Sequence, residues 1–442
     1  MDIIFKNEKA KYIEIYEQIA DMINSNHLKP NEKLPSKRDL ALSLNVSLNT
    51  IINAYNLLLD EGYIYTLEKK GYYVTHQPTL TLPLKLENID NITINDYKYD
   101  FTTLNVESFN SQKWKNITKN ILDSNEYLNK PQLKGDLGLR LAIKKHLYEN
   151  KGISTNVNNI IIGSGMEMFE QILSIIDIPT IELENPGYHK LKHIGININK
   201  NIEYIDIDNE GVKIPNNQAI LYTTPFNQFP TGIKMSIKRK KELINWANST
   251  NSIIIEDDFD AEFRINSAPT TSIFSLDSER VIFFSTFSTT LFSGLRISYA
   301  ILPDELIKIY EDKYMMYSSS VPTLNQLVLK EFIINGYYAA HINKRKKQYI
   351  NKRLECIRVL KDYDFIEIDE NKNYLSILFK INKNINEDSF IKTLNEKGIN
   401  LQPFSKYDIN SIKNNIYILG YTKIPFDDIE PGIQEIIKEI KD

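Results

Sequence analysis

Between residues 160 and 284 the chain repeats one device, a short unbroken apolar run followed by polar, helix-forming sequence. Ile160-Ile161-Ile162, Ala219-Ile220-Leu221-Tyr222, Ser252-Ile253-Ile254-Ile255 and Val281-Ile282-Phe283-Phe284 are mostly β-branched or aromatic, with no polar position between the apolar ones. A strand wetted on one face alternates with a period of two; a strand covered on both faces does not. Covering both faces requires crossover helices above and below, so the pattern predicts an α/β body on a mainly parallel sheet. Ligands of such sheets sit beyond the carboxyl ends of the strands. Two later runs, Tyr374-Leu375-Ser376-Ile377-Leu378-Phe379 and Ile416-Tyr417-Ile418-Leu419, are strand candidates of a smaller C-terminal α+β subdomain.

The N-terminal part has a different texture. Tyr12, Ile15, Ile19, Met22 and Ile23 recur at helical spacing until the stop Asn26-His27-Leu28-Lys29-Pro30. Pro35-Ser36 opens a second helix with Ser36 as cap and Leu40, Ala41 and Leu44 inward. The turn Asn45-Val46-Ser47 precedes a third, whose Ile51, Ala54, Tyr55, Leu57 and Leu58 pack inward. Tyr63-Ile64-Tyr65 and Tyr72-Tyr73-Val74 then read as two strands about a Lys69-Lys70-Gly71 turn. Three short helices and a β-wing make a winged helix-turn-helix. The resulting division is 1–76 for this domain, 77–98 for a linker, 99–325 for the large domain and 326–442 for the small one.

In a helix-turn-helix, the start of the second helix and the first residues of the third face the major groove. Those places hold Ser36, Lys37, Arg38, Ser47, Asn49 and Thr50, with Lys69, Lys70 and Gly71 at the wing turn. Arg38 suits phosphate or guanine, Asn49 can bond adenine bidentately, and the hydroxyls suit phosphates. A formal net charge of -4 means that any attraction to DNA is local to this end. The same Lys37-Arg38 pair would also serve as a plain solvated face.

In the body, Gly163-Ser164-Gly165 follows a strand and opens a helix, a place for an anion. Asp257 leaves the end of the strand Ile253-Ile254-Ile255, and Thr286, Ser288 and Arg296 surround the end of another. A single cysteine, Cys356, excludes an internal disulfide and a cysteine-only metal site, and the six histidines lack ligand spacing. No run approaches the roughly 20 apolar residues of a membrane span, and the N-terminus lacks the apolar core of a signal peptide. A cytoplasmic protein without membrane or metal is expected.

The N-terminal motifs, Leu34-Pro35-Ser36-Lys37-Arg38-Asp39-Leu40-Ala41, Val46-Ser47-Leu48-Asn49-Thr50, Ala54-Tyr55-Asn56-Leu57 and Glu61-Gly62-Tyr63, together resemble the winged helix of the GntR family. Leu48 and Leu67 stand where members often carry arginine. The body resembles fold-type I aminotransferases through Gly135-Asp136-Leu137-Gly138-Leu139-Arg140, Glu184-Asn185-Pro186-Gly187-Tyr188, Thr224-Pro225-Phe226-Asn227-Gln228-Phe229-Pro230-Thr231-Gly232, Glu256-Asp257-Asp258-Phe259-Asp260-Ala261-Glu262-Phe263-Arg264 and Ser285-Thr286-Phe287-Ser288-Thr289-Thr290-Leu291 with Gly294-Leu295-Arg296. The joint pattern is similar to the MocR/GabR subfamily of GntR regulators over nearly the whole chain.

That resemblance implies a homodimer and a pyridoxal phosphate pocket. Asp257 would face the ring nitrogen, Ser164, Gly165, Thr286, Ser288 and Arg296 would hold the phosphate, Asn227 would approach the phenolic oxygen, and Tyr188 would belong to the pocket. It also exposes departures. Thr289 occupies the place of the Schiff-base lysine, and a hydroxyl cannot form an imine with an aldehyde. Phe259 stands for a tyrosine, Glu167 for a glutamine and would lie near the phosphate, and no arginine follows Arg358 to hold a substrate carboxylate. The expectation is a transcription regulator with a double-stranded DNA operator and a small-molecule effector as partners. It would have no transaminase activity and no covalently bound pyridoxal phosphate. Two readings stay open beside it: a pyridoxal phosphate-responsive regulator in which Thr289 replaces a natural lysine, and an aminotransferase.

Overall fold

Ser36 and Ser47 start the second and third helices as the sequence predicts, each accepting a backbone amide with its side chain, from Asp39 and Thr50. Helices α1 (Lys11–Asn24), α2 (Lys37–Ser43) and α3 (Leu48–Asp60) are followed by strands β1 (Ile64–Leu67) and β2 (Gly71–Val74). The two strands pair antiparallel from Ile64 opposite Val74 to Leu67 opposite Gly71. One core joins them: Ile15 and Ile19 of α1, Leu40 of α2, Ile51, Tyr55 and Leu58 of α3, and Ile64 and Val74 of the strands. Each such fully buried side chain contributes about 1.5–3 kcal/mol. Tyr55 also donates its hydroxyl to the carbonyl of Pro35 at 2.9 Å, fixing the entry to α2.

The computed structural model describes residues 3–5, 9–68, 70–75, 97–102, 109, 111–263, 271–368 and 375–441. Lys69, Arg264, Tyr374 and all of the linker 77–98 except its last two residues lie outside them. The chain divides into two compact units, Met1–Ile94 and Asn95–Asp442. Among the described residues no helix is long and apolar enough to cross a membrane.

The second unit opens with β3 (Tyr99–Asp100) and helices α4 (Ser111–Ser124) and α5 (Leu137–Lys151). There follow β4 (Ile160–Gly163), α6 (Gly165–Ser174), β5 (Thr180–Asn185), β6 (Asn201–Asp208), β7 (Gly211–Val212), β8 (Ile220–Thr223), β9 (Ile253–Asp257), β10 (Val281–Thr286) and β11 (Ser298–Ile301). These last eight strands form one sheet in the order β4-β11-β10-β9-β8-β5-β6-β7. The run β10-β9-β8-β5-β6 is parallel throughout. β11 is inserted antiparallel between β4 and β10. Successive residues enter opposite cores: Ile254 packs on one side, Ile253 and Ile255 on the other. Burial on both faces is the physical origin of the unbroken apolar runs.

The smaller C-terminal sheet contains β12 (Ile366–Ile368), β13 (Ser376–Ile381), β15 (Gln402–Pro403) and β16 (Ile416–Gly420), in the order β12-β13-β16-β15, while β14 (Ile399–Asn400) lies outside it. The first residues of the unit belong with this part of the chain. Tyr99 and Asp100 pair with Ile399 and Asn400, and the amide of Gly420 donates to the carbonyl of Phe101 at 2.8 Å. A side chain at Gly420 would meet the carbonyl oxygen of Thr102 at 2.3 Å, so glycine permits the approach. Residues 99–101 associate with the small subdomain. The division at 325/326 cuts the first turn of the helix Thr323–Ile334, which packs on α4 and α5 of the large domain.

Candidate functional site

At the DNA-facing end, Arg38 and Asn49 are exposed, and Arg38 has no carboxylate partner among the described residues. Lys37 lies with its ammonium 4.9 Å from the Tyr72 ring centroid, held toward the wing. The serines are less free than the sequence suggests. Ser36 donates to the Asp39 carboxylate at 2.6 Å, and Ser47 shares its hydroxyl with that of Thr50 at 2.8 Å. Both are caps first. Lys70 is exposed beside Gly71, whose φ of +114° closes the turn. Leu48, the first residue of α3, and Leu67, the last of β1, are each 41% exposed. Large apolar side chains thus stand exposed at the start of α3 and at the end of β1.

In the body, β4, β8, β9 and β10 point their carboxyl ends the same way, and antiparallel β11 begins beside them. A cleft of about 360 Å³ opens there, lined by Gly165, Tyr188, Asp257, Phe259, Thr286, Ser288, Thr289 and Arg296 from the sequence-predicted set. Ser164, Glu167 and Asn227 do not line it. Glu167 is exposed, two residues into α6 from Gly165 and so just over a half-turn around the helix. It is therefore not the cleft carboxylate that was expected. Asn227 is buried and donates to Asp260 at 3.0 Å. Ser164 donates its backbone amide to Ser320 at 2.9 Å. The sequence did not single out Tyr222, Thr224, Phe229, Lys190 or Tyr407, which also line the cleft. Strand-end position could have marked Tyr222 and Thr224; nothing local marks Tyr407, which arrives from the small subdomain.

Asp257 sits at the end of β9, 8% exposed, with one carboxylate oxygen accepting the Tyr222 hydroxyl and the other buried without a partner. Burial, reinforced by Asp258, Asp260 and Glu184, pushes its carboxyl up to about 8 against the Tyr222 hydrogen bond. The folded chain therefore holds that proton more tightly than an unfolded one, so the associated stability is complete below about pH 4 and is lost as pH rises through about 8. Asp257→Asn should flatten the fall by about 1.4 kcal/mol per pH unit within that window. Urea unfolding of both proteins across this range checks it; parallel pH profiles would refute it.

Glu184, fully buried, accepts from the Thr223 hydroxyl at 2.5 Å, the Thr224 amide at 3.1 Å, the Thr224 hydroxyl at 2.8 Å and Gln228 at 3.2 Å. It fixes the strand end that carries Thr224 into the cleft. Deeper, Lys151 pairs with Asp258 and with Glu262 at 2.9 Å, and Glu262 also meets His146 at 3.0 Å. Against burial, which raises it, Lys151 and His146 hold the Glu262 carboxyl well below its usual range.

A pyridine phosphate fits part of this cleft. Gly165 has φ +43°, and a side chain there would meet the Arg296 guanidinium at 2.3 Å, so glycine leaves the place for that cation. Arg296 has no carboxylate partner among the described residues, and the buried hydroxyl of Ser288 has no partner either. Both suit a phosphate. The unpartnered Asp257 oxygen suits a ring nitrogen, and Phe169, Phe229, Phe259 and Phe284 offer apolar walls. The Thr286 hydroxyl is already engaged, donating to the carbonyl of Ile297 at 3.1 Å and accepting from the Ser288 backbone amide and the Ser298 hydroxyl. Covalent attachment at position 289 does not fit. Thr289 offers no amine, and its hydroxyl donates to the carbonyl of Phe259 at 2.7 Å.

Residues 11–74 match the bacterial regulatory proteins of the gntR family, and residues 87–416 match aminotransferase class I and II. The chain is 32% identical over 446 residues to the uncharacterized HTH-type transcriptional regulator YdeL of Bacillus subtilis (strain 168), covering 96% of each chain. It is 24% identical to the probable rhizopine catabolism regulatory protein MocR of Rhizobium meliloti, covering 96% of this chain and 92% of that one. The crystal structure of a multiple substrate aminotransferase from Thermococcus profundus shares the fold, with a TM-score of 0.67 and 23% identity, over 82% of this chain and 96% of that chain.

Proposed function

Because the chain belongs to the GntR-type transcription regulators that carry an aminotransferase class I and II domain, the MocR/GabR subfamily, we propose that its body is a non-covalent small-molecule receptor without transaminase activity. The observation that carries this reading is Thr289, whose hydroxyl stands in the cleft where transamination needs an amine. A pyridoxal group, when bound, supplies an electron sink for bonds to the amino acid α-carbon. The residues here do what binding requires: Arg296 and Ser288 take the anion, Asp257 orients the ring, and the aromatic walls exclude water. Exposed Met315, Met316 and Tyr317 support pairing of two bodies into a homodimer that presents two winged helices. A ligand that binds two arrangements of that dimer unequally would shift operator affinity.

On DNA, Arg38 and Asn49 read or anchor the half-site, and exposed Leu48 suits the methyl group of a thymine. Retention of fragments from a random-sequence duplex pool, by the full-length protein, tests the reading. A shared motif supports it; indifferent retention, or turnover of an amino acid and a keto acid by the purified chain, would contradict it. Arg38→Ala is expected to weaken binding to the selected duplex by about 1–3 kcal/mol if the guanidinium touches a base. An equal loss on unrelated DNA would make it a phosphate anchor.

A further inference from the structure

The direction of one hydrogen bond decides what the cleft can accept. Thr289 lines the cleft, and its hydroxyl proton points to backbone oxygen, either Phe259 at 2.7 Å or Thr286 at 3.5 Å. What remains toward the cleft is an oxygen with lone pairs, an acceptor without a donor. The neighbouring Phe259 side chain has no hydroxyl to offer instead. An aldehyde is acceptor-only, so its oxygen would be desolvated against another acceptor. An aminomethyl group carries N–H donors and, when protonated, a charge that strengthens the bond.

We propose that the cleft selects a pyridine phosphate bearing a hydrogen-bond donor on its 4-carbon arm, pyridoxamine 5′-phosphate, over the aldehyde form, with Thr289 as the acceptor that discriminates them. The inference rests on the receptor reading above and adds the chemical class of the ligand. Its remaining contacts use the groups left without partners: the second Asp257 oxygen, the Ser288 hydroxyl and the Arg296 guanidinium. Binding is reversible and involves no bond making, so Thr289 is a specificity residue and no cleft side chain is modified.

Isothermal titration of the full-length protein with pyridoxamine 5′-phosphate, pyridoxine 5′-phosphate and pyridoxal 5′-phosphate tests this. The aminomethyl ligand should bind about tenfold tighter than the aldehyde, with the hydroxymethyl ligand on the tighter side as well. Thr289→Val removes the acceptor at nearly constant volume and should bring the ratio close to one. The aldehyde, which loses an opposed acceptor and no hydrogen bond, should bind the variant at least as tightly as before, and that retained binding reports a folded cleft. Equal or tighter binding of the aldehyde by the natural chain would overturn the inference, as would an unchanged ratio in the valine variant. So would a borohydride-trapped pyridoxyl group on Lys190, the lysine that lines the cleft. Binding without preference would sink this inference alone, whereas no binding by any of the three would sink the pyridine phosphate receptor with it.

Discussion

Thr289→Lys should convert the body into a covalent holder of pyridoxal 5′-phosphate, visibly coloured, with the lysine trapped by borohydride. An amine held beside a bound aldehyde reacts as if at very high local concentration, so the affinity for the aldehyde should rise about 100-fold or more. The groups proposed to hold the anion and orient the ring already stand in the cleft: Arg296 against Gly165, Ser288, and Asp257 at the end of β9. The preference for pyridoxamine phosphate should reverse in the same variant. Absorbance spectra and intact mass before and after reduction measure both effects. A colourless, unmodified variant would mean that the cleft differs from a cofactor site in more than one side chain. It would also separate a natural threonine from a lone replacement in an otherwise complete site.

Lys151→Met should strongly destabilise the body. The lysine is buried and pairs with both Asp258 and Glu262, so methionine takes away a buried cation that the two carboxylates share, while His146 stays beside Glu262. Removing one member of a buried ion pair costs about 3–5 kcal/mol. The loss should shrink on acidification, since a carboxylate deprived of its cation takes up a proton rather than stay charged in the interior. Denaturation at neutral and acid pH distinguishes this from a packing defect, which would be equally severe at both. Adding Asp258→Asn to the variant should recover part of the loss at neutral pH.

The winged domain was legible because its determinants are local. Ser36 and Ser47 cap the helices that follow them within three residues, and the periodicity of Ile15, Ile19, Ile51 and Leu58 fixes the inward faces. Burial of both sheet faces was equally legible from the apolar runs. The direction of β11 was not, because a covered strand reads alike whichever way it runs, and only its place between β4 and β10 settles the pairing. In the cleft, Asp257, Thr286, Ser288, Thr289 and Arg296 follow from strand ends and motif order. Tyr407 and the Lys151–Asp258–Glu262 set depend on residues far apart in sequence, about which spacing is silent. Glu167 stands close in number to Gly165, but its angle on α6 leaves it exposed and outside the cleft lining.

The clasp of Tyr99 and Asp100 on Ile399 and Asn400, backed by the Asp100–Lys423 ion pair and by Phe101 sealed against Gly432, gives the polypeptide a fixed mooring as it enters the body. That mooring is on the minor sheet's side and not on the eight-stranded one. Any displacement of the minor sheet therefore carries Tyr99 and Asp100 along with it, on the side of the body that brings Tyr407 to the cleft.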